Sequence, residues 1–162
     1  MHPLSWVYDD GGRAAAGFKG DAGDCVVRAI AIAEGEVDLF ETQADVYRRI
    51  YTELRDQNAA YADTHRGRVA KSIKKRGPTA RNGTHREVFK PWLLSRGWIW
   101  TPTMQIGSGT TVHLREGELP ETGPLIVSLS RHMAAVIDGV VHDNHDPSRD
   151  GTRAVYGYFS RA

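Results

Sequence analysis

The chain has little cysteine, little net charge and no long hydrophobic run. Its 162 residues include one cysteine, so no disulfide can form within the chain and a reducing compartment is expected. A net charge of +1 by itself indicates neither a nucleic-acid binder nor a membrane-surface protein. The run at residues 26–33 is interrupted by Arg28 and is too short to span a bilayer. The first six residues resemble no signal peptide. We therefore expect a cytoplasmic protein without a membrane partner.

The composition and the order of the predicted elements indicate one α+β domain. Apolar residues make up 40 % of the chain and charged residues 25 %, which is typical of a globular protein with a real core. Helical periodicity dominates the first part and strand-like alternation the second, which favours α+β with an antiparallel sheet. We expect a single domain over 1–162, with a mainly helical lobe at 1–97 and an antiparallel sheet lobe at 98–162.

Three segments predict helices: one that is apolar on nearly all sides, and two with an apolar side and a polar side. The first follows Asp24, whose side chain is predicted to cap it, and ends at Gly35. The last starts at Thr84, where Glu87 completes a capping-box pattern. The segment 1–24 is rich in Gly and Asp and is expected to be irregular. The second and third helices are predicted at about 37–60 and 84–95.

Two of the predicted strands form a hairpin that brings a histidine close to an aspartate. Asp138-Gly139 predicts a two-residue type I′ turn, in which both residues have positive φ. Alternation then places His132 on the same face as Asp143, its diagonal neighbour. Asn144 and Asp146 are the alternatives if the loop differs by one residue. The six predicted strands cover 98–103, 110–114, 125–129, 131–137, 140–144 and 153–159.

The single cysteine, Cys25, opens the first predicted helix. Orphan backbone N–H groups and the macrodipole in the first turn favour negative charge, which lowers a thiol pKa. A lone cysteine with a distant His132 and Asp143 is the outline of a nucleophile, its base and the group that orients the base. The alternative is a buried structural thiol, a hydrogen-bonded strand histidine and an aspartate that closes the hairpin.

These residues resemble the papain-like cysteine peptidase superfamily. Gly23-Asp24-Cys25, followed by an apolar helix, is most similar to compact bacterial members such as the double-glycine leader peptidases. The similarity covers about a third of the chain. It implies a papain-like fold and a cysteine peptidase or related thiol-dependent hydrolase acting on amide or isopeptide bonds of a peptide or protein. Cys25, His132 and Asp143 would be its catalytic triad, and no cofactor is implied.

One position departs from the family pattern. The family usually has a glutamine about six residues before the cysteine, where its amide completes the oxyanion hole. Lys19 lies there in this chain. The resemblance therefore implies that the Lys19 ammonium stabilises the oxyanion together with the backbone N–H of Cys25.

The segment 64–86 contains eight lysines and arginines and no acidic residue. Its glycines predict a largely loop-like, solvated segment beside the cleft. The alternative function is an inactive papain-like module that uses this basic segment to bind nucleic acid or an acidic protein. The segment lacks the interleaved aromatics of a single-strand binder, so a protein substrate is the favoured partner. A structural or phage-associated accessory domain is a third alternative.

A dense group of potential metal ligands follows the hairpin. It comprises His142, Asp143, His145 and Asp146. Strand alternation sends His142 and His145 to opposite faces, which argues against shared coordination. We therefore expect no metal site.

Overall fold

The computed structural model describes residues 2–20, 22–105, 107, 109–110 and 112–161, which form an α+β fold. The described helices are α1 (Cys25–Val37), α2 (Gln43–Thr64), α3 (Arg68–Arg76) and α4 (Arg86–Ser95). The described strands are β1 (Ser5–Tyr8), β2 (Ile99–Pro102), β3 (Met104–Gln105), β4 (Gly109–Thr110), β5 (Pro124–Leu129), β6 (His132–Ile137), β7 (Val140–Asp143) and β8 (Gly157–Ser160). None of these helices is both long and apolar enough to cross a bilayer.

Six strands form one mixed sheet in the order β1-β7-β6-β5-β8-β2. β1 pairs in parallel with β7, whereas the other neighbours are antiparallel. The prediction of a purely antiparallel sheet from residues 98–162 was therefore wrong, as was that of an irregular lead-in at 1–24. All four residues of β1 are exposed, so this edge strand carries no apolar alternation that reveals it in the sequence.

The hairpin between β6 and β7 has the predicted register. Ile137 pairs with Val140 and Ala135 with His142. Asp138 and Gly139 have φ values of 48° and 79°, as a type I′ turn requires. Ala134, Val136 and Val141 pack together in one buried cluster, which confirms the predicted face assignment.

Helix α1 packs on the sheet and extends beyond its predicted end. Ile32 contacts Ala135 and Ile137, and other buried residues of α1 join the largest core cluster. Gly35 does not end the helix. A Cβ at this position would lie 2.3 Å from Gln43 Oε1, so the glycine provides space for the first side chain of α2. Gln43 then bonds back to the Ala31 carbonyl.

The other helices differ from the prediction at their boundaries. Helix α2 begins at Gln43 because Thr42 caps it, accepting a hydrogen bond from the backbone N–H of Asp45. Helix α3 lies within the basic segment expected to be mainly loop. Its three buried residues, Val69, Ala70 and Ile73, form a short apolar face among the cations. Thr84 does not cap α4, whose N-cap is His85 without a side-chain cap bond.

Two strands of the last third are shorter than predicted. Of the segment 110–114, Thr110 belongs to β4, and residue 111 lies outside the described residues. β8 begins at Gly157 rather than at residue 153. Residues 112–114 and 153–155 still pair with each other, because His113 forms an isolated antiparallel bridge with Ala154. The Leu114 N–H donates to the Arg153 carbonyl and the Val155 N–H to the Val112 carbonyl.

A buried ionic cluster joins the start of α1 to the N-terminal loop and α2. Asp24 is 1 % exposed, and its carboxylate contacts Arg13, Arg28 and Tyr47. Asp24 occupies the N-cap position, but its side chain makes no cap bond, contrary to the prediction. Burial, followed by the hydrogen bond to Asp24, raises the pKa of the Tyr47 hydroxyl.

We expect Asp24→Asn to destabilise the protein by about 3–5 kcal/mol, because it leaves two buried guanidinium groups without their shared carboxylate. Asp45→Asn is the matched control. It removes an exposed pair with Arg48 and should cost less than about 1 kcal/mol. Urea unfolding measures both free energies. Equal losses in the two variants would contradict this account.

Candidate active site

Cys25 is the first residue of α1, as predicted. Its thiol is partly buried and packs against the largest core cluster. The Asp24 side chain makes no cap bond, so the orphan N–H groups of the first turn remain free of that partner. The helix tip therefore presents the thiol together with backbone hydrogen-bond donors.

The hairpin places His132 against Asp143. His132 begins β6 and Asp143 ends β7, and His132 Nε2 lies 2.5 Å from Asp143 Oδ2. The two alternative carboxylate or amide partners have other contacts. Asn144 Oδ1 lies 2.6 Å from His145 Nδ1, and Asp146 accepts a bond from the Ser148 N–H. The predicted contact of His132 with Asp143 is thus present.

The Cys25 thiol and the His132 ring line the same groove, and each shifts the pKa of the other. Because Nε2 faces Asp143, Nδ1 is the ring nitrogen left for the sulfur. The imidazole therefore connects the thiol with the carboxylate. These three groups come from a helix tip and two adjacent strands.

The surroundings of these groups favour the charged forms of both cysteine and histidine. Burial raises the pKa of the Cys25 thiol, but its interaction with the His132 ring and the imidazolium charge lower it. The backbone N–H of Met133 and the charge of Arg28 lower it further, and the net pKa is below the usual value. Burial lowers the pKa of His132, but its hydrogen bond to Asp143 and its interaction with Cys25 raise it to about 9. Both shifts favour a thiolate–imidazolium pair over the neutral pair.

Asp143 is held in place from several directions. Its side chain is 3 % exposed, and one oxygen accepts the Asn144 N–H and lies 3.7 Å from Arg28 Nη2. Its backbone carbonyl accepts bonds from Trp6 Nε1 and from the Asp9 N–H. The carboxylate that orients His132 is therefore fixed by α1 and by the β1 segment.

The thiol and the imidazole line an open groove of about 360 Å³. One wall is formed by the turn before α4, which contributes Asn82, Gly83 and Thr84. The other wall is formed by residues 128–133 of the β5–β6 hairpin. The sequence predicted Asn82 only as part of a turn. An Asn-Gly dipeptide is typical of turns in general, so it does not indicate whether the turn lines a groove.

Lys19 is not brought into this groove. Its residue is exposed and is absent from the groove lining. Its backbone carbonyl accepts a bond from Arg13. Asn82, in contrast, lines the groove and contacts the segment just before Cys25. Its Oδ1 lies 3.5 Å from the backbone N of Gly23.

Among the described residues, one set of side chains has spacing compatible with a metal ion. Ligand atoms of His132, Asp143 and His145 all lie within 4.8 Å of one another. His132 and Asp143 already bond to each other. His142 belongs to a different contact, with Asp9.

The alkylation of Cys25 by iodoacetamide should reach its full rate well below the usual thiol pKa of about 8.5. The thiolate–imidazolium pair is populated from the lowered thiol pKa up to about pH 9, where His132 loses its proton. His132→Ala removes the two largest influences that lower the thiol pKa, so we expect an alkylation rate at least about tenfold lower near pH 6.5.

His142→Ala on the neighbouring strand is the matched control and should leave the pH profile unchanged, since His142 contacts Asp9 instead. The profile is measured by mass spectrometry of the alkylated protein. Identical profiles for wild type and His132→Ala would refute the pairing.

Comparisons with known protein families, with curated proteins and with solved structures found no match to this chain.

Proposed function

We propose that this chain is a thiol-dependent acyl-transfer hydrolase of the cysteine-peptidase type, with a papain-like arrangement of its site. Cys25 would be the nucleophile, His132 the acid and base, and Asp143 the residue that orients the imidazole. The substrate class is an amide or isopeptide bond in a peptide or protein. The observation that carries this proposal is that the Cys25 thiol lies in one open groove with His132, whose ring is hydrogen-bonded to the buried Asp143 carboxylate.

In the first half-reaction, the Cys25 thiolate attacks the substrate carbonyl carbon and forms a C–S bond. The π electrons move to the carbonyl oxygen, which becomes an oxyanion. As the oxyanion collapses, the C–N bond breaks and the His132 imidazolium donates its proton to the departing amine. The products are a thioester on Cys25, a neutral imidazole and the free amine.

In the second half-reaction, neutral His132 takes a proton from a water molecule as the water adds to the thioester. Collapse of this second oxyanion expels the Cys25 thiolate and releases the carboxylic acid. The thiolate and the imidazolium are restored, and no external acid or base is consumed. Asp143 stays ionised throughout and fixes the ring in the orientation that both steps need.

The oxyanion requires hydrogen-bond donors at the helix tip, and Asn82 is the side chain best situated to provide one. The Asn82 Oδ1 faces the Gly23 N–H, which leaves its Nδ2 without a partner among the described residues. Asn82 lines the same groove as Cys25. We therefore assign the oxyanion contacts to Asn82 Nδ2 and the backbone N–H of Cys25, in place of the Lys19 ammonium.

The proposal is tested with p-nitrophenyl acetate, a small activated ester that needs no peptide specificity. We expect acetyl transfer to Cys25, seen as a mass increase, followed by turnover. Cys25→Ala should abolish both. His132→Ala should slow acetylation and hydrolysis by at least about a hundredfold, because both steps use its proton. His142→Ala is again the matched control.

Two results would contradict the proposal. The first is hydrolysis by Cys25→Ala at the wild-type rate. The second is a wild-type thiol that iodoacetamide alkylates readily but the ester never acylates, which would instead favour an inactive binding module.

Asn82→Ala should lower the rate of acetylation by about a hundred- to a thousandfold, because acyl transfer passes through an oxyanion. Alkylation by iodoacetamide forms no oxyanion, so its rate should remain within about twofold of wild type. Lys19→Ala is the comparison variant. Since Lys19 is exposed and outside the groove, neither rate should change appreciably. A larger loss in Lys19→Ala than in Asn82→Ala would reverse the assignment.

A further inference from the structure

Many of the basic residues are concentrated in one segment that contains no acidic residue, and the proposed reaction does not explain this distribution. Eight of the 21 lysines and arginines fall in the segment 64–86, with none of the 20 acidic residues. Seven of the eight are exposed and form no ion pair with another described residue. These seven are Arg66, Arg68, Lys71, Lys74, Lys75, Arg76 and Arg86.

This basic segment forms a wall of the groove that contains Cys25. Asn82, Gly83 and Thr84 line the groove and also a smaller adjoining cavity. Arg76, at the end of α3, lines that second cavity. On the opposite side of the thiol, the exposed Arg131 lines the groove beside His132. Positive side chains therefore flank Cys25 on both sides.

Among the residues that the structure describes, none that lines either cavity is acidic. Other concave surfaces of the protein differ in this respect. The one beside Arg13 includes Asp10 and Asp24, and the one beside Leu4 includes Glu116 and Glu121. The positive potential is thus concentrated where a substrate would enter, and a cleft lined by one sign of charge concentrates ligands of the other sign.

The uncharged groups of these cavities suit a polypeptide better than a nucleic acid. Thr84 Oγ1 and Asn58 Oδ1 are buried atoms without a hydrogen-bond partner among the described residues, and both residues line the smaller cavity. Asn58 Oδ1 can only accept a bond; each non-proline unit of a peptide backbone supplies an N–H donor, whereas the phosphodiester backbone of a nucleic acid supplies none. Phe89 is the one phenylalanine, tyrosine or tryptophan among the described lining residues, and it is buried and offers no stacking platform.

From these observations we infer that the groove binds acidic polypeptide segments, whose carboxylate side chains lie near Arg131 on one side of Cys25 and near Arg76 on the other. This inference rests on the proposed function in one respect, since it names the substrate class of the same site. The binding itself requires no reaction at the thiol.

The first test compares two alkylating agents of similar size, neutral iodoacetamide and anionic iodoacetate. At low ionic strength, the double variant Arg76→Gln/Arg131→Gln should lower the ratio of the iodoacetate rate to the iodoacetamide rate by about three- to tenfold. Arg55→Gln is the matched control, because this exposed arginine lines neither cavity. Its ratio should equal that of wild type. Circular dichroism verifies that each variant is folded.

The second test measures the binding of rhodamine-labelled hexaglutamate to the full chain carrying Cys25→Ala, by fluorescence anisotropy. We expect binding that weakens as salt is added and weakens at least about threefold when Arg76→Gln and Arg131→Gln are also present. Labelled hexalysine should not bind. Because this variant has no thiol, the binding result does not depend on the proposed catalysis. A failure of the proposed catalysis would be detected in the ester experiment.

Three outcomes would overturn the inference. One is an unchanged rate ratio together with no hexaglutamate binding. Another is equal weakening of binding by Arg55→Gln, which would indicate a general charge effect. The third is tighter binding of a labelled oligothymidylate than of hexaglutamate, which would indicate a nucleic-acid partner for the basic segment.

Discussion

A buried guanidinium group, that of Arg28, connects the fold to the candidate site. Its side chain is 6 % exposed and lies between two buried carboxylates, Asp24 and Asp143. Removing a cation from water costs several kcal/mol unless such partners compensate it. The packing of α1 on the sheet must therefore bring Arg28 to the end of β7. Cys25 precedes Arg28 by three residues and projects from the same side of the helix. The rotation of α1 that satisfies Arg28 thus also directs the thiol toward His132.

The same constraint explains why Asp24 does not act as a helix cap. A capping bond contributes about 1 kcal/mol, whereas two buried arginines left without a carboxylate cost several times as much. The carboxylate therefore contacts Arg13 and Arg28, and the first-turn N–H groups of α1 stay uncapped by it. The ion pairs of Asp24 with Arg13 and Arg28 thus override its local preference for capping the helix.

Local patterns in the sequence were sufficient for the parts of the molecule that local geometry determines. Asp138-Gly139 fixes a turn type, the turn fixes a register, and the register brings His132 to Asp143. The start of α1 at Cys25 follows in the same way. Contacts between segments that are distant in sequence could not be predicted from such local patterns. β1 is exposed on all four residues and pairs only because β7 offers a free edge. Asn82 lies far from Cys25 in sequence, and only the packing of α3 and α4 brings its turn to the groove.

The position of β1 determines when, during synthesis, the site can exist. Trp6 and Asp143 are 137 residues apart in sequence, yet the indole of Trp6 bonds to the Asp143 carbonyl. Cys25 leaves the ribosome well before His132 and Asp143, which belong to β6 and β7. Pairings of this separation form late, because the entropy of closing so large a loop must be overcome first. Until β6 and β7 have been made and have folded, Cys25 is therefore an ordinary cysteine without its histidine neighbour.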